Sequence, residues 1–278
     1  MLANLNDVLY PAREGGYGVG LFNTVNVEMA RGVLAAAEET DSPVIIGSAE
    51  VLLPYCPLDE LSYFLIPMAE KANVPVVIHY DHGLTYEKCV EALELGFTSI
   101  MYDCSTDSYE ENVRKVADIV KLAHSYGATV EAELGHVGDN EGAGKMDDPA
   151  AFYTDPADAK DFYDKTGCDA LAIAVGTAHG AYKFPPKLDF DRIKEIAGII
   201  PIPLVLHGGS GLTDDDFRKA ISCGISKINI FTDINNAQAE GIRKGFSEGK
   251  SCMTDLISYE VEAVKAETIK KMNLFSNK

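Results

Sequence analysis

Eight short runs rich in β-branched residues recur along the chain: "GVGLFN", "PVIIGSA", "PVVIHYD", "SIMYDCS", "TVEAELG", "ALAIAVG", "PLVLHGG" and "KINIFTD". Between them lie longer segments of helical period, such as "NVEMARGVLAAAEET", "TYEKCVEALELG", "SYEENVRKVADIVKLAHSYG" and "TDDDFRKAISCG". Several open on a Ser, Thr, Asn or Asp cap and close on Gly. Strand and helix in strict alternation is the pattern of parallel strands joined by crossover helices. Eight units in a chain of 278 residues fit an α/β fold closed into a (β/α)8 TIM barrel better than an open sheet. A chain of this length can bury one large core, so one domain spanning residues 1–278 is expected. The tail from Met253 to Phe275 reads as one extra C-terminal amphipathic helix.

Charge narrows the partners. With 24 basic against 43 acidic residues the formal charge is −19, which repels nucleic acid and anionic membrane alike. No run reaches the roughly 18 to 20 apolar residues of a membrane span, and Met1 leads into "LANLNDVLYPAREGG" rather than a signal segment. A cytoplasmic protein with no nucleic-acid or membrane partner is therefore expected. The six cysteines are scattered without a C-x-x-C pair and read as reduced, mostly buried thiols. Any zinc would have to be held by histidine and carboxylate.

In a closed barrel the active site lies where the strands end, and three histidines fall there. His82 follows the third strand, His179 follows the sixth in "AVGTAHG", and His207 ends the seventh in "LVLHGGSG". Three imidazoles converging on one rim with a fourth position open are the donor set of a catalytic zinc. His124 sits in a helical stretch and reads as structural, and His79 is expected to pack inside the barrel. Carboxylates stand at the same rim: Asp81, Asp103 in "MYDCS" and Glu133 in "EAELG". An acid inside an apolar strand costs several kcal/mol unless a cation lies near it, and zinc would be that cation. Glu131 alternates with Glu133 on one strand face, and the pattern alone does not separate them.

The segments after strands seven and eight of such barrels often hold a phosphate on backbone N–H groups. Gly208, Gly209, Ser210, Asn229 and Thr232 are the candidates, with Lys183 in "GAYKFPP" adding a cation close to His179. The stretch from Gly135 to Pro149 is long, glycine-rich and polar for a barrel connection, as mobile lids are. It carries Glu141.

Taken in order, "GVGLFNTVN", "PVVIHYDHG", "SIMYDCS", "VEAELGHVG", "GTAHGAYK", "LVLHGGSG" and "KINIFTD" resemble the class II, metal-dependent ketose-bisphosphate aldolases, the fructose- and tagatose-bisphosphate aldolase family. The resemblance runs over nearly the whole chain. It implies a zinc held by His82, His179 and His207, with Asp103 and Glu133 as accessory metal-site carboxylates and Asp81 as the proton-transfer residue beside the metal. It also implies Glu141 as acid/base on the mobile loop. The substrate-binding set it implies is Asn23, Ser48, Gly180, Lys183, Gly208, Ser210, Asn229 and Thr232, with Arg243 for a second phosphate. A monovalent cation, Na+ or K+, near the phosphate loops and a homodimer or homotetramer belong to the same expectation.

The reaction so implied is reversible cleavage of a ketose 1,6-bisphosphate, fructose or tagatose, to dihydroxyacetone phosphate and an aldehyde such as glyceraldehyde 3-phosphate. It needs an electron sink at C2, and apart from Lys227, which belongs to the matching "KIN" pattern, no lysine inside a strand offers a Schiff base. Zinc as a Lewis acid fits instead. One position departs from the family: Phe231 in "NIFTD" stands where fructose-bisphosphate members carry aspartate and tagatose-bisphosphate members a small residue. Phe231 would suit another phosphosugar, such as a ketose monophosphate or a deoxy-ketogluconate phosphate. A zinc hydrolase or isomerase would share the histidines without needing the phosphate loops. A non-catalytic aldolase-like accessory subunit would be marked by loss of a zinc ligand or of Asp81, and this chain keeps them all.

Overall fold

The computed structural model describes residues 1–135, 138–139, 153–179 and 186–276, with backbone alone at 138, 139, 178 and 179. Eight parallel strands close into a barrel: β1 (Val19–Asn23), β2 (Val44–Ala49), β3 (Val76–Gly83), β4 (Ser99–Tyr102), β5 (Thr129–Leu134), β6 (Ala170–Ile173), β7 (Leu204–Leu206) and β8 (Ile225–Ile230). Each pairs with its successor, and β8 pairs with β1 through Lys227↔Val19 to Ile230↔Phe22. A two-residue strand, Leu2–Ala3, adds to the start of β3. The expected eight-strand order is thus observed. The boundaries shift: β3 runs two residues past Asp81, and β8 stops at Ile230 because a helix, Thr232–Ser247, begins almost at once.

Both faces of these strands are buried, but in different company. Val44, Ile46, Ile78, Tyr80, Val130, Ala132, Ile228 and Ile230 face outward and pack beneath the surrounding helices. Val19, Leu21, Ile45, Val77, Ala170, Ala172 and Val205 fill the barrel interior. The first helix, Leu5–Gly15, turns Leu5, Val8, Leu9 and Ala12 onto that interior cluster and closes the end of the barrel opposite the site. This helix had no strong expectation from the sequence. Its signals are the i, i+3, i+4, i+7 apolar spacing and a reciprocal cap between Asn4 and Asp7.

Along each strand the inward positions change from apolar to polar. Val77 gives way to His79 and Asp81, Leu21 to Asn23, and Val205 to His207. Small residues make room: Ala170 and Ala172 are the cross-strand partners of Glu131 and Glu133. Gly47 faces His79, where a Cβ would lie 1.7 Å from the His79 carbonyl oxygen. The C-terminal helix, Met253–Phe275, spans the expected residues. It packs on Val27–Glu39 and on Thr232–Ser247 at glycines, since a Cβ on Gly241 would meet the Tyr259 carbonyl oxygen at 2.4 Å. Lys271 on this helix pairs with Asp233 at 2.6 Å, which secures the helix whose N-terminus faces the site. None of the described helices is long and apolar enough to cross a membrane.

Candidate active site

A strand alternates its side chains, so Asp81 and His82 should lie on opposite faces of β3. They do not, because β3 carries a bulge: Tyr80 pairs with Ile100 and Gly83 with Tyr102, so three steps on β3 match two on β4. His82 absorbs the extra residue with a φ of 47°, a conformation that costs a β-carbon-bearing residue of order 1 kcal/mol. The bulge is pinned from outside by Glu50, whose Oε2 accepts from the Tyr80 hydroxyl and from the Leu84 backbone N–H, both at 2.6 Å. Both side chains therefore border one cavity of about 570 Å³ at the C-terminal ends of the strands.

Among the described residues, each histidine that lines this cavity is held by a carboxylate. His82 Nδ1 donates to Asp103 Oδ2 at 2.8 Å, and His207 Nε2 donates to Glu131 Oε1 at 2.8 Å. An ionised carboxylate can only accept, so these bonds set the proton position on each ring. A metal ion would be met by the other nitrogen, Nε2 of His82 and Nδ1 of His207, as metal-ligating histidines usually present themselves. Asp81, His82 and His207 offer ligand atoms within 4.8 Å of one another, and so do His82, Asp103 and Glu133. The donor set fits a divalent ion of the borderline class, with nitrogen and carboxylate but no thiolate. All six cysteines are free, and none lines the cavity.

The charges follow from this packing. Burial disfavours an imidazolium at His82, but the Asp81 and Asp103 carboxylates outweigh it and raise the group to about 9. Burial and the nearby His82 cation hold His207 below its ordinary value despite the Glu131 hydrogen bond. Burial would raise the Asp81 carboxyl, yet His82, His79, Lys227 and His207 together hold it well below the usual range. Asp81 is thus an ionised carboxylate, almost fully buried at the cavity wall. It accepts from Asn23 Nδ2 at 2.8 Å and from Asn229 Nδ2 at 3.1 Å.

Across the cavity lie Gly208, Gly209, Ser210, Asn229, Ile230, Phe231 and Thr232. Gly208 takes a positive φ of 66°, and a Cβ on Gly209 would come within 2.9 Å of the Asn229 carbonyl oxygen. The sixteen-residue helix opening at Thr232 adds N-terminal backbone N–H groups and the positive end of its dipole, which favour an anion. Val51, Leu52, Leu84 and Phe231 give the mouth an apolar side.

Comparison with known proteins decides what this cavity belongs to. The family described as fructose-bisphosphate aldolase class-II matches residues 3–278. A fructose-bisphosphate aldolase of Thermus caldophilus is 39% identical over 302 aligned residues, covering 100% of this chain and 99% of its own. The chain belongs to the class II fructose-bisphosphate aldolase family. The crystal structure of the YdjI aldolase from Escherichia coli K12 superposes with a TM-score of 0.89 at 37% identity, covering 99% of this chain and 97% of that one. A Staphylococcus aureus (strain Mu50) fructose-bisphosphate aldolase is 41% identical over 258 residues, 90% of this chain and 87% of its own. Enzymes of this family are metal-dependent carbon–carbon lyases acting on phosphosugars.

Of the residues the sequence singles out, Asn23, Asp81, His82, Asp103, Glu133, His207, Gly208, Ser210, Asn229 and Thr232 border the one cavity. Glu133 lines it, with Oε2 3.3 Å from His207 Nδ1, whereas Glu131 sits one layer lower. His79 is buried inside the barrel against Ser99, and His124 is tied to Asp169 on the outside. Ser48 does not border the cavity; it shares the outward face of β2 with Val44 and Ile46. Arg243 lies eleven positions along the helix from Thr232, roughly 16 Å away by helical rise, and pairs with Glu240 on the exposed side. Glu141, Gly180, Lys183 and the side chain of His179 lie outside the described residues. The backbone at His179 pairs with Asp139, which joins the segments following β5 and β6. Sequence reasoning places His79 inside the barrel, as observed, but misses the layer beneath the cavity that it shares with the fully buried Lys227 and Glu131.

Proposed function

We propose that this class II aldolase is zinc-dependent and cleaves a ketose 1,6-bisphosphate between C3 and C4 to dihydroxyacetone phosphate and an aldehyde. The observation that carries the reading is the β3 bulge, which brings an ionised Asp81 and the imidazole of His82 to one cavity beside His207. His82, His207 and His179 hold the zinc, with Asp103 and Glu133 supporting it. When bound, zinc would supply Lewis-acid chemistry at the C2 carbonyl. Asp81 takes the C4 hydroxyl proton during cleavage and returns it during condensation. Glu141 exchanges the C3 proton of the three-carbon half. Gly208, Ser210, Asn229 and Thr232, joined by Gly180 and Lys183, seat the phosphate of that half, with a Na+ or K+ ion nearby. A reducing, cytoplasmic setting suits the six free thiols. Exposed Tyr55 and Tyr63 offer apolar surface for a homodimer or homotetramer.

The direct test is cleavage of fructose and tagatose 1,6-bisphosphates with dihydroxyacetone phosphate as the monitored product; no cleavage of either would sink the bisphosphate reading. Phe231 borders the cavity and cannot accept a hydrogen bond from a substrate hydroxyl. A site without that acceptor should tolerate an inverted C4 hydroxyl, so kcat/KM for the two sugars is expected to agree within about tenfold. Phe231→Asp should then shift their ratio by roughly 1 to 3 kcal/mol of differential transition-state binding. A thousandfold wild-type preference would contradict this.

Two observations favour a second substrate. Arg243 lies away from the cavity of its own chain, and Val51, Leu52 and Phe231 make that mouth apolar. A ketose 1-phosphate, assayed beside the bisphosphates, would then be cleaved with comparable kcat/KM. Glu141→Gln should slow solvent exchange of the C3 proton of dihydroxyacetone phosphate, and unchanged exchange would move that role to another residue.

A further inference from the structure

Lys227 is fully buried on the inward face of β8, one alternation below Asn229. A lysine ammonium in a dry layer costs several kcal/mol unless it is paired and hydrogen-bonded. Here it is both. Its Nζ lies 2.8 Å from Glu131 Oε2 and donates to Asn229 Oδ1 at 2.7 Å. It does not line the cavity, so it is one layer away from any bound substrate.

The two partners of this ammonium lead in different directions. Glu131 forms an ion pair with Lys227 through Oε2 at 2.8 Å and accepts from His207 Nε2 on Oε1 at 2.8 Å. That bond keeps the His207 proton on Nε2 and turns Nδ1 to the metal side. Asn229 has an amide whose two ends are nearly the same shape. An ammonium can only donate, so it selects the oxygen end and leaves Nδ2 toward Asp81, at 3.1 Å from Oδ1 and 3.2 Å from Oδ2. Flipped, the same amide would set its oxygen against the Asp81 carboxylate. One buried cation therefore fixes the direction of both hydrogen-bond chains.

We propose that Lys227 is a positioning residue that, through Glu131 and Asn229, orients the metal ligand His207 and the proton-transfer carboxylate Asp81 at the same time. This rests on the reading that His207 holds the zinc and Asp81 moves the proton. Lys227 itself does not line the cavity and meets the substrate-binding surface only through Asn229, so the larger effect falls on turnover and on metal retention and the smaller one on substrate affinity.

The test compares Lys227→Met, Glu131→Gln and the double variant, each first shown to be folded by circular dichroism. Lys227→Met leaves Glu131 without its cation. The double variant removes both charges together and so covers the case in which the single one fails to fold. In Lys227→Met or the double variant, kcat at saturating zinc should fall at least about a hundredfold, with KM changed less than about threefold. Zinc affinity by chelator competition should weaken about ten- to hundredfold. Glu131→Gln keeps the lysine to hold Asn229, so zinc affinity should weaken similarly while kcat at saturating zinc falls much less. The readout independent of metal and turnover is nitrogen-15 NMR of His207 in the chelated protein. Wild type should show a single Nε2-protonated tautomer; in Lys227→Met the buried Glu131, left without its cation, takes up a proton and can then donate to the ring, so both this variant and the double variant should show a mixture. A folded variant lacking Lys227 that retains wild-type kcat and a single His207 tautomer overturns the proposal. A wild-type protein that binds no zinc and cleaves no ketose phosphate would sink the functional reading instead, and the tautomer measurement would still decide the role of Lys227.

Discussion

Asp81→Asn is expected to lower cleavage turnover at least about a hundredfold, the usual scale for a positioned acid/base, while the protein stays folded and keeps its zinc. The carboxylate is fixed on two sides by amide donors, Asn23 Nδ2 at 2.8 Å and Asn229 Nδ2 at 3.1 Å. An asparagine has one acceptor and one donor end. Whichever end faces Asn23 and Asn229, the variant can no longer take up a substrate proton at this point. The histidines are oriented by other groups, His82 by Asp103 and His207 by Glu131. Their geometry should survive the substitution. Turnover within tenfold of wild type in a zinc-loaded variant would remove Asp81 from the proton-transfer role.

The barrel was legible in the sequence because its signal is repeated eight times, and a small error in one boundary leaves the alternation intact. The site was legible only in part, and the misses have specific causes. Strands buried on both faces look apolar throughout, so nothing in "PVIIGSA" tells which alternate set faces in. Gly47 and Ala49 do, and Ser48 does not. Asp81 and His82 are adjacent, which strict alternation would split between faces. Only the bulge, held by Glu50 from another strand end, brings both to the cavity. That contact is not local in sequence.

The buried polar layer shows the same limit in another form. Lys227 stood out as the one strand lysine near the site, and Glu131 as an acid whose direction was open. Burial would raise the Glu131 carboxyl, but the Lys227 ammonium and the His207 hydrogen bond hold it down at about 2. Charge accounting inside an apolar barrel could have paired these two groups, since an unpaired acid and an unpaired lysine there would each be costly. It could not have shown that His207 and Asn229 complete the chain. The first helix carries Pro11 in its interior, which removes one backbone donor and makes the helical pattern there hard to read.

Removing the metal is expected to abolish cleavage and yet leave the fold standing. The apolar interior, from Val19 and Leu21 to Val205, lies toward the opposite end of the barrel and is closed by Leu5, Val8, Leu9 and Ala12. None of it depends on the ligands. At the rim the imidazolium of His82, its group raised to about 9, offsets part of the charge of the Asp81 and Asp103 carboxylates. Loss of bound zinc should therefore cost only the linkage term. This is about 4 kcal/mol where zinc exceeds its dissociation constant a thousandfold, or roughly 10 °C in the unfolding midpoint of a chain this size. Chelation followed by metal analysis, an activity assay and a thermal melt on one sample would separate the two effects, and adding zinc back should restore turnover. Full activity after verified removal would reject the metal-dependent mechanism. Collapse of the helical signal at 25 °C would instead make the ion a structural element, against the placement of the core described here.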